Sequence, residues 1–515
     1  MENMNTFKRK ALFTAVVAGL GVAGSAEAVY MSPNRTGQVL VYPYYTVQSA
    51  AGNSWNTYIS VVNTTTIAKA VKVRILEGKT SAEVLDFNLF LSPNDVWTAA
   101  IIPADATATA PGRLITSDTS CTRPAIPSGG VPFRNFQYSV AGSGDALPGT
   151  GLERTREGYV EILEMGVMSG TAAAAVTHNS AGVPANCGVV TAPTFTLTPG
   201  TNILAPQGGL MGTGTLINVN SGRDAGYKAD ALDAWRNAPI YTDSGFVTPN
   251  LSDAVPTTSL VITSGDVDTA GTGAATLITA YRSDFALTSG VLAGARAVAS
   301  VFMHSAVANE YVLDNATASL TDWVVTQPLK NLFVNNVTAA QPYSNVLTSS
   351  GACETIGFVF FNREEQGAVA GGSDFSPRPP DGPANSMCWE STVLSIRNGA
   401  THIPSDSSRS TVLGSANLTN VTINTGFQNG WAFLTFTGAG ARTLGMGSVG
   451  GDRVTMGTNV IASAVTAGAV TFYGLPVTGF MIRTFANGSL SCGTASCQGN
   501  YGAIFGHSYE TTILP

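Results

Sequence analysis

The sequence predicts a mainly β protein built from antiparallel β-sandwich domains, with long disulfide-tied loops and about one short helix. Two observations lead to this prediction: short runs of alternating apolar and polar residues recur along the chain, and turn-forming residues separate them. A third is composition. Gly supplies 56 of 515 residues, and charged residues make up only 11%, against roughly 25% in ordinary globular domains.

The clearest strands lie between residues 38 and 102. In the run 70–76, apolar residues alternate with Lys72 and Arg74, which predicts a strand with one buried and one solvent-exposed face. The run 85–91 follows the same period, and the runs 38–47 and 57–63 are further predicted strands. Several short strands at this spacing are typical of a β-sandwich.

The rest of the chain continues the β pattern with one exception. An amphipathic helix is expected from residue 293 to 308, because Val298, Val301 and Phe302 fall on one helical face. The other predicted strands are 159–164, 212–219, 275–280, 321–326, 357–361, 391–397, 417–424, 430–436 and 474–483.

Residues 1–28 have the features of a secretory signal peptide, with three basic residues, an apolar run and a small-residue cleavage site ending at Ala28. We expect the mature chain to begin at Val29. An uncleaved membrane anchor is the alternative, although a spanning helix needs about 20 apolar residues. No later stretch is apolar enough to predict a transmembrane segment. The mature chain is divided into three predicted β regions: 29–205, 206–345 with the helix, and 346–515.

Six cysteines occur in the chain: Cys121, Cys187, Cys353, Cys388, Cys492 and Cys497. An even number in an exported protein favours disulfides over free thiols. Many connectivities are possible, and the simplest joins sequence neighbours: Cys121 with Cys187, Cys353 with Cys388, and Cys492 with Cys497. Metal binding is the alternative, but no Cys-x-x-Cys occurs.

The charge of the chain argues against a nucleic-acid partner. Removal of the signal peptide takes away three basic and two acidic residues, so the formal charge moves from −7 to −8. Nucleic-acid phosphates require a basic footprint, which an acidic chain lacks.

Four strings of the sequence resemble those of a known family. They are Val-Leu-Val-Tyr-Pro-Tyr-Tyr at 39–45, Asn-Glu-Tyr at 309–311, Thr-Asp-Trp-Val-Val-Thr at 321–326 and Gly-Leu-Pro-Val-Thr-Gly-Phe at 474–480. In these strings, and over most of its mature length, the chain resembles secreted cell-surface proteins of Gram-negative bacteria. The resemblance implies a location at the bacterial cell surface or outside the cell. Because the strings contain no catalytic motif, it implies no active site.

The sequence contains no nucleophile elbow, P-loop or zinc-protease motif. Only four histidines are available as general bases: His178, His304, His402 and His507. We therefore predict that the chain is not an enzyme. If it were a hydrolase, His507 or His402 would be the first residues to substitute.

Two further stretches are candidate ligand sites. Asp266 and Asp268 match part of a calcium-binding loop, although the acidic ligand expected at position twelve is a leucine, so a solvated acidic loop is the alternative. We expect no cofactor other than this possible calcium. The second stretch is aromatic and could stack on sugar rings or pack in the core: Tyr42, Tyr44, Tyr45 and Trp55.

These observations predict a non-enzymatic structural protein of the bacterial cell surface or extracellular matrix. Its copies would associate with one another through sandwich faces or exposed edge strands. A surface adhesin or glycan-binding protein is the main alternative, with surface glycans as partners. A secreted hydrolase with an unrecognised site is the third.

Overall fold

The computed structural model of the chain describes residues 28–50, 53–139, 145, 147, 149–267, 275–286, 292–369, 386–398, 408–436, 443–445, 451–457, 464–468, 470–492 and 495–514. Residues 1–27 of the predicted signal peptide lie outside these ranges. Val29, the expected first residue of the mature chain, is fully buried, and its backbone N–H donates to Thr258 O at 2.9 Å.

The first sixteen strands end at residue 233. They are β1 (Tyr30–Met31), β2 (Val39–Thr46), β3 (Ser49–Ala50), β4 (Asn53–Ser54), β5 (Asn56–Asn63), β6 (Lys69–Glu77), β7 (Glu83–Leu91), β8 (Val96–Pro103), β9 (Gly112–Ile115), β10 (Cys121–Arg123), β11 (Val131–Pro132), β12 (Glu157–Met168), β13 (Ile203–Leu204), β14 (Leu210–Asn218), β15 (Arg223–Lys228) and β16 (Asp230–Asp233).

The remaining strands fill the chain from residue 258. They are β17 (Thr258–Val267), β18 (Ala275–Asp284), β19 (Met303–His304), β20 (Ala306–Val312), β21 (Leu320–Thr326), β22 (Glu354–Thr355), β23 (Gly357–Asn362), β24 (Gly367–Val369), β25 (Ser386–Met387), β26 (Ser391–Arg397), β27 (Leu418–Thr422), β28 (Asn429–Thr435), β29 (Thr443–Gly445), β30 (Gly451–Gly457), β31 (Ala464–Gly468), β32 (Thr471–Tyr473), β33 (Leu475–Pro476), β34 (Thr478–Cys492), β35 (Ala495–Gly506), β36 (Ser508–Glu510) and β37 (Thr512–Leu514).

Helices are short and few in the described residues. The α-helices are α1 (Phe136–Ser139), α2 (Gly170–Val176), α3 (Gly188–Thr191), α4 (Ala293–Phe302) and α5 (Lys330–Phe333), and two 3-10 helices span Leu152–Arg156 and Leu251–Asp253. The mainly β fold class predicted from the sequence is confirmed.

Five larger sheets form the framework. Sheet I has the order β1-β16-β2-β12-β6-β7-β10, with β13 added on β12, and sheet II has the order β11-β9-β8-β5-β14-β15. Sheet III is β24-β23-β28-β20-β36, sheet IV is β27-β26-β21-β34-β35, and sheet V is β17-β18-β30-β31. Every ladder between described strands of these sheets is antiparallel except that of β26 with β27. Strand pairing crosses both predicted region boundaries: β14 and β16 pair with strands of the first region, and β20 and β21 pair with β28 and β26 of the third.

Sheets I and II form a β-sandwich. Tyr42 and Val73 of sheet I share one hydrophobic core with Ile59 and Trp97 of sheet II. The alternation of side chains along each strand places these residues on the inner faces. The sandwich predicted from the opening strands is therefore present.

Sheet IV lies between two hydrophobic cores. Val324 of β21 joins the core of sheets I and II, whereas its neighbours Trp323 and Val325 join the core shared with sheet III. The ring of Phe480 in β34 stacks on Tyr227 of sheet II, with centroids 5.0 Å apart. Because both faces of sheet IV are buried here, its strands join the first sandwich to sheet III.

The outer face of sheet I contains charged side chains that are buried. Arg74 bonds to Glu161 at 2.7 Å and to Glu83 at 2.8 Å, and Lys72 lies 2.5 Å from Asp86. Burial raises the pKa of Glu161 and Glu83, and the Arg74 guanidinium opposes that rise. Each cation therefore has a carboxylate partner inside the protein, as buried charges require.

The chain segment 238–245 covers these ion pairs. Lys72 Nζ donates to Asp243 O at 3.1 Å, and Asn88 Nδ2 donates to Thr242 O at 2.8 Å. The sequence-based expectation that Lys72 and Arg74 face solvent is therefore wrong. Alternation identified the polar face of β6 correctly, but a segment far away in sequence buries that face.

The predicted helix at 293–308 ends earlier, at Phe302. Met303 and His304 pair instead with Leu475 and Pro476, and Ser305 N donates to Glu510 O at 2.8 Å. These long-range backbone bonds outcompete continuation of the helix.

Two of the expected disulfides are present. Cys121 in β10 bonds to Cys187 beside α3, with Cα atoms 5.3 Å apart, and Cys353 bonds to Cys388. The first disulfide links the helical segment between β12 and β13 to β10, at the edge of sheet I. The side chains of Cys492 and Cys497 lie outside what the structure describes; the backbone register of the β34–β35 hairpin places them opposite Ala495 and Leu490.

Where sheets I and IV meet, a carboxyl group is buried. Glu390 is 3% exposed, and its Oε2 has no hydrogen-bond partner among the described residues. Burial raises its pKa from 4.5 to about 8, against the opposing effect of Lys330. Glu390 is therefore largely protonated in the folded protein at neutral pH.

The buried pair of Lys69 and Glu164 allows a stability prediction. Their side chains are fully buried and 2.7 Å apart, so Lys69→Met leaves a carboxylate buried without its cation. We expect the free energy of unfolding in urea to fall by about 3–5 kcal/mol. Arg363→Met is the matched control, because it breaks an exposed pair with Glu364 and should change stability by less than about 1 kcal/mol. Equal losses in the two variants would contradict this account.

Glu390 gives a pH-dependent prediction. The folded protein holds its proton up to about pH 8, whereas the unfolded chain loses it near pH 4.5. Its contribution to stability is thus complete below pH 4.5 and is lost as the pH rises to about 8. Glu390→Gln lacks this loss, so we expect its Tm to rise relative to the unsubstituted chain across that window. Glu365→Gln, at an exposed position, should show no such trend; a pH-independent Tm difference for Glu390→Gln would contradict the assignment.

Candidate functional site

Among the described residues, sheets II and III each present an outer face to solvent, and their chemistry differs. Sheet II exposes hydroxyl-bearing side chains, among them Ser60 and Thr213, which share a hydrogen bond of 2.8 Å, together with separate large apolar side chains: Tyr58, Val96 and Met211. Sheet III exposes aromatic ones. Its inward residues, such as Phe358 and Leu434, are buried, while the alternate positions of the same strands point outward. The outer face of sheet III is therefore the candidate functional surface.

Three aromatic rings form what we call the aromatic ridge: Phe361, Trp431 and Phe433. Phe361 and Trp431 are partners across β23 and β28, and their rings stack with centroids 4.8 Å apart and an interplanar angle of 19°. Phe433 meets Trp431 edge-on at 5.0 Å. Trp431 is 41% exposed, an unusual degree for so large an apolar side chain.

The stacking fixes how the ridge faces solvent. Its 4.8 Å separation is about the spacing of neighbouring strands, so Phe361 and Trp431 turn one face toward each other across the strands. The stack therefore occupies one face of each of these two rings.

Opposite charges lie beside the ridge. Glu310 is the cross-strand partner of Trp431 on its other side, and its carboxylate accepts from Arg483 Nη1 at 3.0 Å. The Arg483 guanidinium lies 4.6 Å above the Phe505 ring and 5.5 Å from the Phe485 ring. An aromatic centre with a charged rim is the usual composition of a protein–protein interface.

The aromatic cluster proposed for glycan contact lies in the interior. Tyr42, Tyr44 and Tyr45 are fully buried and Trp55 is 1% exposed. Their polar atoms bond within the fold, for example Tyr44 OH to Glu157 Oε2 at 2.6 Å. The packing alternative accounts for these side chains, and their rings are not accessible to a sugar at the surface.

The calcium ligands predicted from the sequence are Asp266 and Asp268. Asp268 and the side chain of Asp266 lie outside what the structure describes. Within the part of the chain that is described, no group of three or more His, Cys, Asp or Glu side chains is arranged to bind a metal ion.

The described histidines are engaged within the fold. His507 is 7% exposed, with Nε2 2.9 Å from Val324 O and Nδ1 3.1 Å from Asn309, and burial lowers its pKa to about 4. His178 Nδ1 lies 3.7 Å from Asp95. His304 stacks on Tyr509. His402 lies outside the described residues.

The sequence of β28 does not show which of its side chains face solvent and form the ridge. From Gly430 to Phe436, both alternating sets are apolar, so the period of two cannot tell which set faces the core. The outward set was identifiable only after β28 was paired with β23 and β20.

Comparison with known proteins identifies no relative. No protein-family model matches the chain, and neither a curated protein nor a solved structure matches it. Across the residues that the structure describes, no helix has the length and apolar character needed to cross a membrane.

Alanine substitutions should separate the buried aromatic cluster from the exposed ridge. Tyr44→Ala removes a fully buried ring and its bond to Glu157, so we expect a loss of about 3–5 kcal/mol in urea unfolding. Trp431→Ala removes a partly exposed ring and should cost about 1 kcal/mol or less. Comparable losses would mean that the ridge is part of the core.

Proposed function

We propose that the chain is a non-enzymatic structural protein of the bacterial cell surface or extracellular matrix, whose copies associate through the outer face of sheet III. The observation that supports this most directly is the aromatic ridge with its charged rim. Exposed aromatic side chains beside Arg are the composition that dominates binding energy at protein interfaces.

A second copy is the partner that this surface fits, because the surface contains its own complement. Glu310 and Arg483 lie side by side, with side chains 64% and 23% exposed. A two-fold contact can place Glu310 of one copy against Arg483 of the other, with the two ridges packed between them. The low charge of the chain, 11% of residues, adds little long-range repulsion between copies.

The outer face of sheet III is better suited to association between copies than the edge strands are. Five described edge strands, β1, β10, β11, β24 and β36, have only two or three residues, and short edges resist strand addition. The longer edge strands β15 and β35 lie close together, where Asn500 Nδ2 donates to Ser221 O at 2.7 Å. Strand β17, the ten-residue edge of sheet V, bonds through Thr258 O and Leu260 N to Val29, and the edge strands β27 and β31 have five residues each. We therefore assign the contact to the face of sheet III.

Sedimentation velocity of the mature chain, residues 29–515, tests the proposal. We expect reversible association as concentration rises, and we expect Trp431→Ser to weaken it about thirtyfold, the effect of a central aromatic residue. Tyr58→Ser is the control, because Tyr58 is similarly exposed at 50% but lies on sheet II, outside the aromatic ridge. A monomeric chain at all concentrations, or equal effects of the two substitutions, would overturn the proposal.

Charge reversal tests whether the rim acts between copies. Glu310→Arg and Arg483→Glu should each associate poorly alone, because like charges then meet across the contact. A mixture of the two variants should associate again, since each supplies the charge that the other needs. If the mixture remains monomeric while both variants melt normally, the charges act only within one chain.

Binding of glycans by the unsubstituted monomer, lost in Trp431→Ser, would support the adhesin alternative instead.

A further inference from the structure

A cavity of about 440 Å³ lies away from the aromatic ridge, where sheet I, helix α4 and strand β36 meet. Its volume falls in the range of small-molecule sites, roughly 300–1,000 Å³. Much of its wall is apolar, formed by side chains from β17, α4 and the segment before β34: Leu260, Val301, Phe302 and Val477.

Two opposite charges line this cavity without forming an ion pair. Asp230 begins β16 and Arg35 lies in the turn before β2. Asp230 Oδ2 accepts from the Thr478 hydroxyl, while Oδ1 accepts no hydrogen bond from the described residues. The Arg35 guanidinium makes no hydrogen bond or ion pair within the same part of the chain. Both charges are therefore available to a ligand.

The backbone at Arg35 adopts a left-handed conformation. Its φ is 57°, in the left-handed region where a side chain costs about 1 kcal/mol relative to glycine. Arg35 N donates to Ser32 O at 3.0 Å, which closes the turn. A charged residue is retained here although the conformation suits glycine, and this points to a role for its side chain.

The other polar groups of the cavity are neutral near pH 7. Burial lowers the pKa of His304 to about 3 and raises the pKa of the Tyr509 hydroxyl. The two rings stack with centroids 4.2 Å apart, and His304 Nδ1 lies 3.0 Å from Thr511 Oγ1. Burial also raises the pKa of Asp230, and the Thr478 hydroxyl and the Arg35 guanidinium oppose that rise. Asp230 and Arg35 are the two charged groups that a ligand would meet.

We propose that this cavity binds a small zwitterion with an apolar substituent, of the class of α-amino acids with apolar side chains. The ammonium group would bond to Asp230 and the carboxylate to Arg35, and the side chain would pack on Leu260, Phe302 and Val477. Such a ligand satisfies both charges at once, whereas an amine or a carboxylic acid satisfies only one. The proposal is independent of self-association, because the ridge and the cavity share no residue.

Isothermal titration calorimetry of the mature chain with leucine, methionine and phenylalanine tests the site. We expect at least one to bind, and we expect its decarboxylated amine and its N-acetyl derivative to bind at least about tenfold more weakly, since each lacks one charge. Absence of binding by all three amino acids, or equal affinity of the amine, would overturn the proposal.

Substitutions locate the binding. Asp230→Asn and Arg35→Gln should each reduce affinity about tenfold or more, and Arg35 is exposed enough for the fold to tolerate the change. The controls are Asp224→Asn and Arg134→Gln, which alter exposed charges outside the cavity and should leave affinity unchanged. Binding that survives both cavity substitutions would place the ligand elsewhere and refute the site.

Discussion

The structure depends on neutralising the charged side chains of sheet I. Arg74 and Lys72 lie on a face with little access to solvent, and each needs a carboxylate and a cover to be stable there. The segment 238–245 provides the cover, and it follows directly from β16, the strand that pairs with β1 and β2. The path of the chain over this face therefore also fixes Asp230, at the start of β16, beside the cavity.

Sheet IV has the complementary role of joining cores. Because adjacent residues of β21 enter different cores, sheet IV leaves neither face free at this point, and sheet III becomes the outermost layer on its side. Its inward residues complete the core with Trp323, and its outward residues have no cover among the described elements. The aromatic ridge is thus a consequence of layer order.

The sequence was sufficient for local structure and insufficient for contacts between distant segments. Alternation located β2, β5, β6 and β7, and sequence proximity identified the Cys121–Cys187 and Cys353–Cys388 pairs. It could not show that Lys72 is covered, because the covering residues are distant in sequence. For the same reason Arg35 and Asp230 gave no sign of sharing a cavity. In β28 both alternating sets are apolar, so Trp431 could not be assigned to the surface before its neighbours were known.

The central claim is that the Trp431 face is buried when two copies meet, and tryptophan fluorescence quenching by acrylamide tests it most directly. The chain has six tryptophans. Four are at most 1% exposed, namely Trp55, Trp97, Trp235 and Trp323, and Trp389 is partly buried, so Trp431 and, to a smaller extent, Trp389 should supply the quenchable signal. We predict that the quenchable fraction falls as protein concentration rises and that Trp431→Phe removes this dependence. A quenchable fraction that stays constant while the chain associates would show that copies meet through another surface.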